Sequence, residues 1–311
     1  IKEIIYTSDS KKIDFFLAEV LSEIHKNGPV SQSTLEKLSY IKKFHPSVFS
    51  KYESTFIYLL GLFYKTNEPE NLIEEIYSII SDSIQADTGY RFTPVQANAY
   101  ITIKNHKYFS FSAPTSTGKS FLFHQLIKET EKDLVIVVPS RALIAEYIFK
   151  LKNLFKNDKT ILILQFFENV NIKHSSRRIF VVTPERGKDL FDKNKDFNID
   201  LFLFDEAQIS EEEIRGLTFD AFVRRVDKVF PTSKKVFTHP FIENPEAQLL
   251  KHNFNSSEKA NNYNQLSVGK IYISKLIGDK YFYFSPDKPN EKIEFKNDIQ
   301  SEILNSGGTI L

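Results

Sequence analysis

The apolar and polar positions of this chain follow two different rhythms. Up to about residue 87 the apolar positions recur at helical spacing. Ile13, Phe16, Leu17, Val20, Leu21 and Ile24 return every three or four residues, which predicts an amphipathic helix. Phe56, Ile57, Leu59, Leu60, Leu62 and Phe63 make a second apolar stretch, and Leu72, Ile73, Ile76, Tyr77, Ile79 and Ile80 a third. Asn27-Gly28-Pro29 and Asn67-Glu68-Pro69 punctuate them. None of these residues suggests chemistry, so residues 1–87 read as an all-helical accessory domain.

From about residue 88 short apolar runs alternate with amphipathic stretches, the pattern of βα units on a mostly parallel sheet. The predicted strands are Tyr108–Ser112, Leu134–Val138, Ile161–Leu164, Ile179–Val182, Leu201–Phe204 and Lys235–Phe237. Most are apolar throughout, as expected where helices cover both faces. Residues 254–265 are polar and rich in Asn, which predicts an exposed loop. Beyond them, Lys270–Ser274 and Lys280–Phe284 flank Gly278-Asp279 and read as an antiparallel hairpin whose aromatic alternation suits a packed face. Gly307–Leu311 reads as the start of another strand. The expected organisation is a helical domain at 1–87, an α/β domain at 88–266, and at 267–311 a β-hairpin crossover with the truncated start of a second α/β domain.

Ligands on a parallel sheet bind beyond the carboxyl ends of its strands. Each motif with candidate chemistry falls at such an end. Ala113-Pro114-Thr115-Ser116-Thr117-Gly118-Lys119-Ser120 lies between a predicted strand and a predicted helix. Strand, tight loop closing on Gly-Lys-Ser, then helix is the build of a phosphate-binding loop. Backbone N–H groups of Thr115, Ser116, Thr117 and Gly118, with the helix N-terminus, would face a triphosphate. Lys119 would reach the β and γ phosphates, and the Ser120 hydroxyl would hold Mg²⁺.

Leu201-Phe202-Leu203-Phe204 runs into Asp205-Glu206-Ala207-Gln208. Two carboxylates at a strand end are also what a helix cap looks like. Beside a phosphate loop they gain a definite chemistry, in which Asp205 completes the Mg²⁺ site and Glu206 polarises the attacking water. Upstream, Arg91-Phe92-Thr93-Pro94-Val95-Gln96 offers Gln96 to read an adenine edge and Phe92 or Tyr90 to pack on the base. A plain Thr-Pro helix start gives the same residues. Pro139-Ser140-Arg141-Ala142-Leu143 and Thr183-Pro184-Glu185-Arg186 follow two further strands and place hydroxyls and cations where phosphate-backbone contacts would be made.

Composition narrows the classes. The 311 residues carry a net charge of +1 with 26% charged, which neither supports nor excludes a nucleic-acid groove. There is no membrane-spanning run and no signal-peptide pattern. The absence of Cys excludes disulfides and fits a reducing cytoplasm. The chain starts on Ile1 and has no Met, which points to an excerpt of a longer protein. His106, His124 and His174 show no metal-ligand spacing.

Taken in order, these segments resemble the first RecA-like domain of superfamily 2 DExH/DEAD-box helicases. Arg91–Gln96 is similar to the Q motif, Ala113–Ser120 to motif I, Pro139–Leu143 to motif Ia, Thr183–Arg186 to motif Ib, and Asp205–Gln208 to motif II in a DEAQ form. Arg215-Gly216 and Asn244-Pro245-Glu246 are similar to the DExH group of DNA-repair and exosome helicases. The resemblance implies an ATP- and Mg²⁺-dependent motor on DNA or RNA. Its catalytic residues would be Lys119, Asp205 and Glu206. Gln96, Phe92, Gln208 and the loop 115–120 would serve nucleotide binding, Ser120 and Asp205 the metal, and Arg141, Thr183 and Arg186 the nucleic-acid backbone. Two departures stand out. The motif III position reads Phe237-Thr238-His239-Pro240 in place of Ser-Ala-Thr, and the box ends in Gln208 in place of His. The Lys/Asn/Ile/Phe-rich composition suggests an AT-rich bacterial genome. With the resemblance, the unusual helical N-terminus and the altered motif III imply an anti-phage defence helicase such as that of Hachiman. Alternative readings are an ATP-binding switch that regulates a partner such as a nuclease, and a restriction-type translocase attached to one.

Overall fold

The computed structural model describes residues 2–114, 117–167, 175, 177–192, 197–240, 242–252, 259–267, 269–276, 280–286 and 288–295. They form two compact units, one drawn from 1–83 and 266–311 and the other from 84–265.

The chain begins with six helices, α1 (Lys2–Tyr6), α2 (Ser10–Asn27), α3 (Gln32–Phe44), α4 (Pro46–Phe49), α5 (Glu53–Leu59) and α6 (Leu72–Thr88), of which α6 passes the end of the first unit's N-terminal segment at residue 83. Asp9 caps α2 by accepting from the Lys11 N–H at 3.0 Å, and Ser31 caps α3 by accepting from the Thr34 N–H at 3.3 Å. The periodicity of α2 is realised as a core stripe: Ile13, Leu17, Val20 and Ile24 are all buried. The third apolar stretch behaves differently. Along α6 the polar residues Glu74, Ser81 and Thr88 are buried, whereas Leu72, Ile76 and Ile79 are 71, 51 and 69% exposed. The cause is Glu74. A carboxylate taken from water needs donors, and this one accepts from the Thr55 hydroxyl at 2.7 Å, the Asn71 amide at 2.8 Å and the Glu70 N–H at 3.0 Å.

The second unit is an α/β layer structure. Its strands are β1 (Tyr108–Ser112), β2 (Asp133–Val137), β3 (Ile161–Leu164), β4 (Arg177–Val182), β5 (Ile199–Phe204), β6 (Lys234–His239) and β7 (Lys259–Asn262). They form one sheet in the order β3-β4-β2-β5-β6-β1-β7, with each neighbouring pair parallel. Alternate residues of each central strand feed two cores. Leu134 and Ile136 of β2 face the side covered by α7 (Pro94–Asn105), α8 (Lys119–Glu129) and α9 (Arg141–Leu154). Val135 and Val137 face the side covered by α10 (Glu213–Val229) through Phe219, Phe222 and Val226. Each such side chain contributes about 1.5–3 kcal/mol on full burial. The six expected strands are present. β7 is not a loop, as its polar Asn-rich sequence suggests, but an edge strand, opposite β3 at the other edge. It pairs with β1, Phe109 opposite Lys259, and main-chain hydrogen bonding at an open edge asks for no apolar pattern. A short helix, α11 (Ala247–Lys251), follows β6.

A second, antiparallel sheet has the order β10-β9-β8, with β8 (Tyr272–Leu276), β9 (Lys280–Ser285) and β10 (Lys288–Phe295). β8 and β9 are the expected hairpin, with Tyr272 opposite Phe284. Its Gly278-Asp279 turn and the expected strand at 307–311 lie outside the described residues. This sheet belongs to the same unit as the N-terminal helices. Tyr283 and Ile293 are buried among Ile13, Leu17, Tyr40 and Ile41, and the Ser285 hydroxyl donates to Glu36 at 2.8 Å. Among the described residues no helix is long and apolar enough to cross a membrane.

Burial alone raises the Glu74 pKa, but the hydrogen bonds from Glu70, Thr55, Ser54 and Asn71 outweigh it and leave the carboxyl below its usual 4.5. A depressed folded-state pKa contributes stability that is present above about pH 4.5 and is lost as pH falls through the lower folded value. Glu74→Gln should therefore cost about 1–3 kcal/mol at pH 7, and less in acid, as read from urea denaturation followed by circular dichroism.

Candidate nucleotide site

The candidate motifs meet at the carboxyl edge of the parallel sheet. β1 ends in the loop 113–118 before α8, β5 ends in Asp205-Glu206, and β6 ends in Thr238-His239. β6 lies between β5 and β1, so its end touches both of the others.

The loop is shaped by Gly118 and Gln96. Gly118 sits at φ 77°, a left-handed conformation that favours glycine. A Cβ there would also run into the Gln96 side-chain nitrogen. Gln96 is buried and doubly engaged: its oxygen accepts from the Thr93 N–H at 2.9 Å and its nitrogen donates to the Gly118 carbonyl at 3.0 Å. With the Thr93 hydroxyl accepting from the Gln96 N–H at 3.3 Å, this is a capping box that starts α7 and at the same time fixes the loop before α8. The Thr117 hydroxyl donates to the Pro114 carbonyl at 2.7 Å. Thr115 and Ser116 lie outside the described residues, and Ser120 is exposed.

Lys119 is the cation of the site. Its ammonium donates to the carbonyls of His239 at 2.8 Å and Ala113 at 3.2 Å. Burial lowers its pKa, and the negative charges of Asp205 and Glu206 act against that shift. Asp205 is held on both oxygens: Tyr147 on α9 donates to one at 2.6 Å, and Thr238 to the other at 2.7 Å. Glu206 has φ 54°, the sole positive φ outside glycine among the described residues. Holding a non-glycine residue there costs of order 1–3 kcal/mol. Its carboxylate accepts from the Gln208 amide at 2.6 Å, and the Gln208 oxygen is buried with no hydrogen-bond partner among the described residues.

Beneath the site, the His239 ring lies 3.0 Å from the Ser110 hydroxyl, which itself donates to the Pro245 carbonyl at 2.6 Å. Burial first, and then the Lys119 charge, pushes the His239 pKa down to about 4, so the ring is neutral at pH 7. Arg215 donates to the Pro139 carbonyl, tying the start of α10 to the loop after β2. Its neighbour Gly216 lets α10 lie against the turn after the box, where a Cβ would stand 2.6 Å from the Ser210 carbonyl oxygen.

Not every expected residue serves as expected. Phe92 cannot pack on a base, because its ring is fully buried against Tyr90, Tyr100 and Phe121. Of the aromatics around it that reach solvent, Phe121 is 44% exposed and Tyr90 half-buried. Gln208 contacts Glu206. Thr183 is buried, while Arg141 is exposed and Arg186 half-buried. Tyr147 gives no sign of its position in the sequence, since in a helical stretch it reads as a core aromatic. Thr238 and His239 carry a signal only as a departure from motif III.

Residues 93–239 match the model of the DEAD/DEAH box helicase family. The chain carries a DEAD/DEAH box helicase domain. A stretch of 119 residues, 38% of the chain, is 33% identical to anti-bacteriophage protein B of Escherichia coli (strain K12), and the match spans 15% of that relative's length. Among solved structures, the DUF1998 helicase MrfA bound to DNA and AMPPNP has a TM-score of 0.48 and 13% identity over 60% of this chain and 29% of its own. A hypothetical ATP-dependent RNA helicase from Sulfolobus tokodaii has a TM-score of 0.42 and 16% identity over 58% of this chain and 56% of its own.

The crowding at Gly118 makes a coupled prediction for the helicase domain. Gly118→Ala should lower the thermal midpoint by several degrees, through positive φ and the collision with Gln96. Adding Gln96→Ala should remove the collision part, so the two losses measured by scanning calorimetry should sum to more than the double variant's loss.

Proposed function

We propose that this chain supplies the nucleotide-binding part of an ATP-dependent nucleic-acid helicase or translocase that serves in defence against phage. The observation that carries it is the meeting of Lys119, Asp205 and Glu206 at one sheet edge, joined by Thr238. The donor set fits magnesium. Among the described residues no three His, Asp or Glu side chains cluster, but this ion keeps waters and needs only one or two protein oxygens beside the phosphates. The Asp205 carboxylate and the Ser120 hydroxyl are such oxygens. The ion, when bound, neutralises charge on the phosphates.

The chain's own groups then divide the work. Lys119 leaves its two carbonyl partners for the β and γ phosphates. Tyr147 and Thr238 keep Asp205 oriented. Glu206 takes a proton from the water that attacks the γ-phosphorus as the bond to the ADP oxygen breaks. Gln208 holds Glu206, and its buried oxygen is an acceptor for a hydrogen of that water. Gln96, buried and with its amide oxygen and nitrogen engaged by Thr93 and Gly118, fixes the loop. Arg141 and Arg186 contact the phosphate backbone of DNA or RNA. The likeness to the E. coli anti-phage protein supports the defence role.

A second reading has one observation in its favour. Thr238-His239 stands where helicases of this type carry Ser-Ala-Thr, so the site would bind ATP as a switch for a partner such as a nuclease without moving a strand. ATP turnover of the full protein with and without single-stranded DNA or RNA separates the two. Stimulation by either polymer is expected for the motor, and none for the switch. Glu206→Gln should lower turnover by roughly 10² or more while nucleotide binding persists. Turnover that survives this change rules Glu206 out as the base.

A further inference from the structure

Among the described residues, the carboxyl edge carries an exposed aromatic side chain beyond β3 that no motif accounts for. Phe166 follows the end of β3 by two residues and is 47% exposed. A single exposed Phe is ordinary, but this one is held on two sides. The next residue, Phe167, is 1% exposed and stacks on Phe180 with ring centres 4.5 Å apart, which pins the backbone beside Phe166 in the core. Arg186, after β4, places its guanidinium carbon 4.9 Å from the centre of the Phe166 ring. Arg141, exposed, opens α9 after β2.

The strands β3, β4 and β2 are neighbours in that order, spaced about 4.8 Å apart. Phe166, Arg186 and Arg141 therefore occupy successive strand ends along one rim. An aromatic face among guanidinium groups, on the ligand-binding edge of a parallel sheet, has the composition of a platform for single-stranded nucleic acid.

We propose that Phe166 stacks on a base of a single-stranded nucleic acid, with Arg186 steadying the ring and, with Arg141, taking neighbouring phosphates. The proposal rests on the reading of the chain as nucleic-acid-dependent. Stacking reads no sequence, since every base has a π-face, so it adds affinity without base preference. It also differs physically from phosphate contact. Stacking leaves the salt dependence of binding unchanged, while each lost phosphate contact flattens it.

The test is fluorescence anisotropy of labelled 20-nucleotide oligo-dT and oligo-U over a series of salt concentrations. Phe166→Ala should weaken binding roughly tenfold with the same salt slope, and Phe166→Trp should restore it. Arg186→Gln should reduce the slope by about 1. Replacing the bases of the oligomer by abasic sites should weaken the wild type more than Phe166→Ala, because the variant has no stack left to lose. If Phe166→Ala binds as tightly as wild type, or loses affinity equally with normal and abasic oligomers, the stacking role is overturned while the nucleic-acid reading stands. If the wild type binds neither polymer at any salt, both fall. Binding of one polymer in preference to the other, with the Phe166 effects intact, supports the platform and identifies its strand.

Discussion

An ammonium ion withdrawn from water must be given oxygen. Lys119 obtains it from two main-chain carbonyls, those of Ala113 and His239. That demand fixes the relation between the phosphate loop after β1 and the end of β6. Because the Asp205 and Glu206 charges also act on Lys119, the end of β5 belongs to the same balance. The site is thus held together by main-chain carbonyls and by the charges of two carboxylates.

The groups around it are fixed by hydrogen bonds that each serve two purposes. Gln96 starts a helix and braces Gly118. Thr238 ends a strand and orients Asp205. Gln208 holds Glu206, itself in a strained left-handed conformation. The His239 ring reaches Ser110, whose hydroxyl donates to the Pro245 carbonyl, so the end of β6 has a chain of direct contacts to the segment leading to α11. In a medium of low polarity such bonds are strong when complete and costly when broken.

The first unit shows the same preference for satisfying a buried charge over burying an apolar stripe. α6 turns Glu74 inward to the donors of Thr55, Asn71 and Glu70, and Ile73, Ile76, Ile79 and Ile80 are exposed. The helix is where the apolar spacing placed it, but its orientation is the reverse of what that spacing suggests.

Much of the molecule is legible in the chain itself. Period and composition locate α2, the parallel strands β1 to β6 and the β8–β9 hairpin, because these elements bury stripes or whole runs of apolar side chains. The phosphate loop and the carboxylate pair are legible because their chemistry requires fixed residue types at strand ends. What depends on contacts between distant residues is not. β7 has no apolar pattern, since an edge strand is held by main-chain bonds. Tyr147 reaches Asp205 across 58 positions, and nothing in its helical neighbourhood marks it. Phe92 looks available to a base in the sequence and is enclosed in the fold, because Tyr100 and Phe121 close over it. Sequence alone determined which groups could do chemistry. Only the tertiary structure decided which of them meet, because burial and hydrogen-bond satisfaction are properties of residues brought together from different parts of the chain.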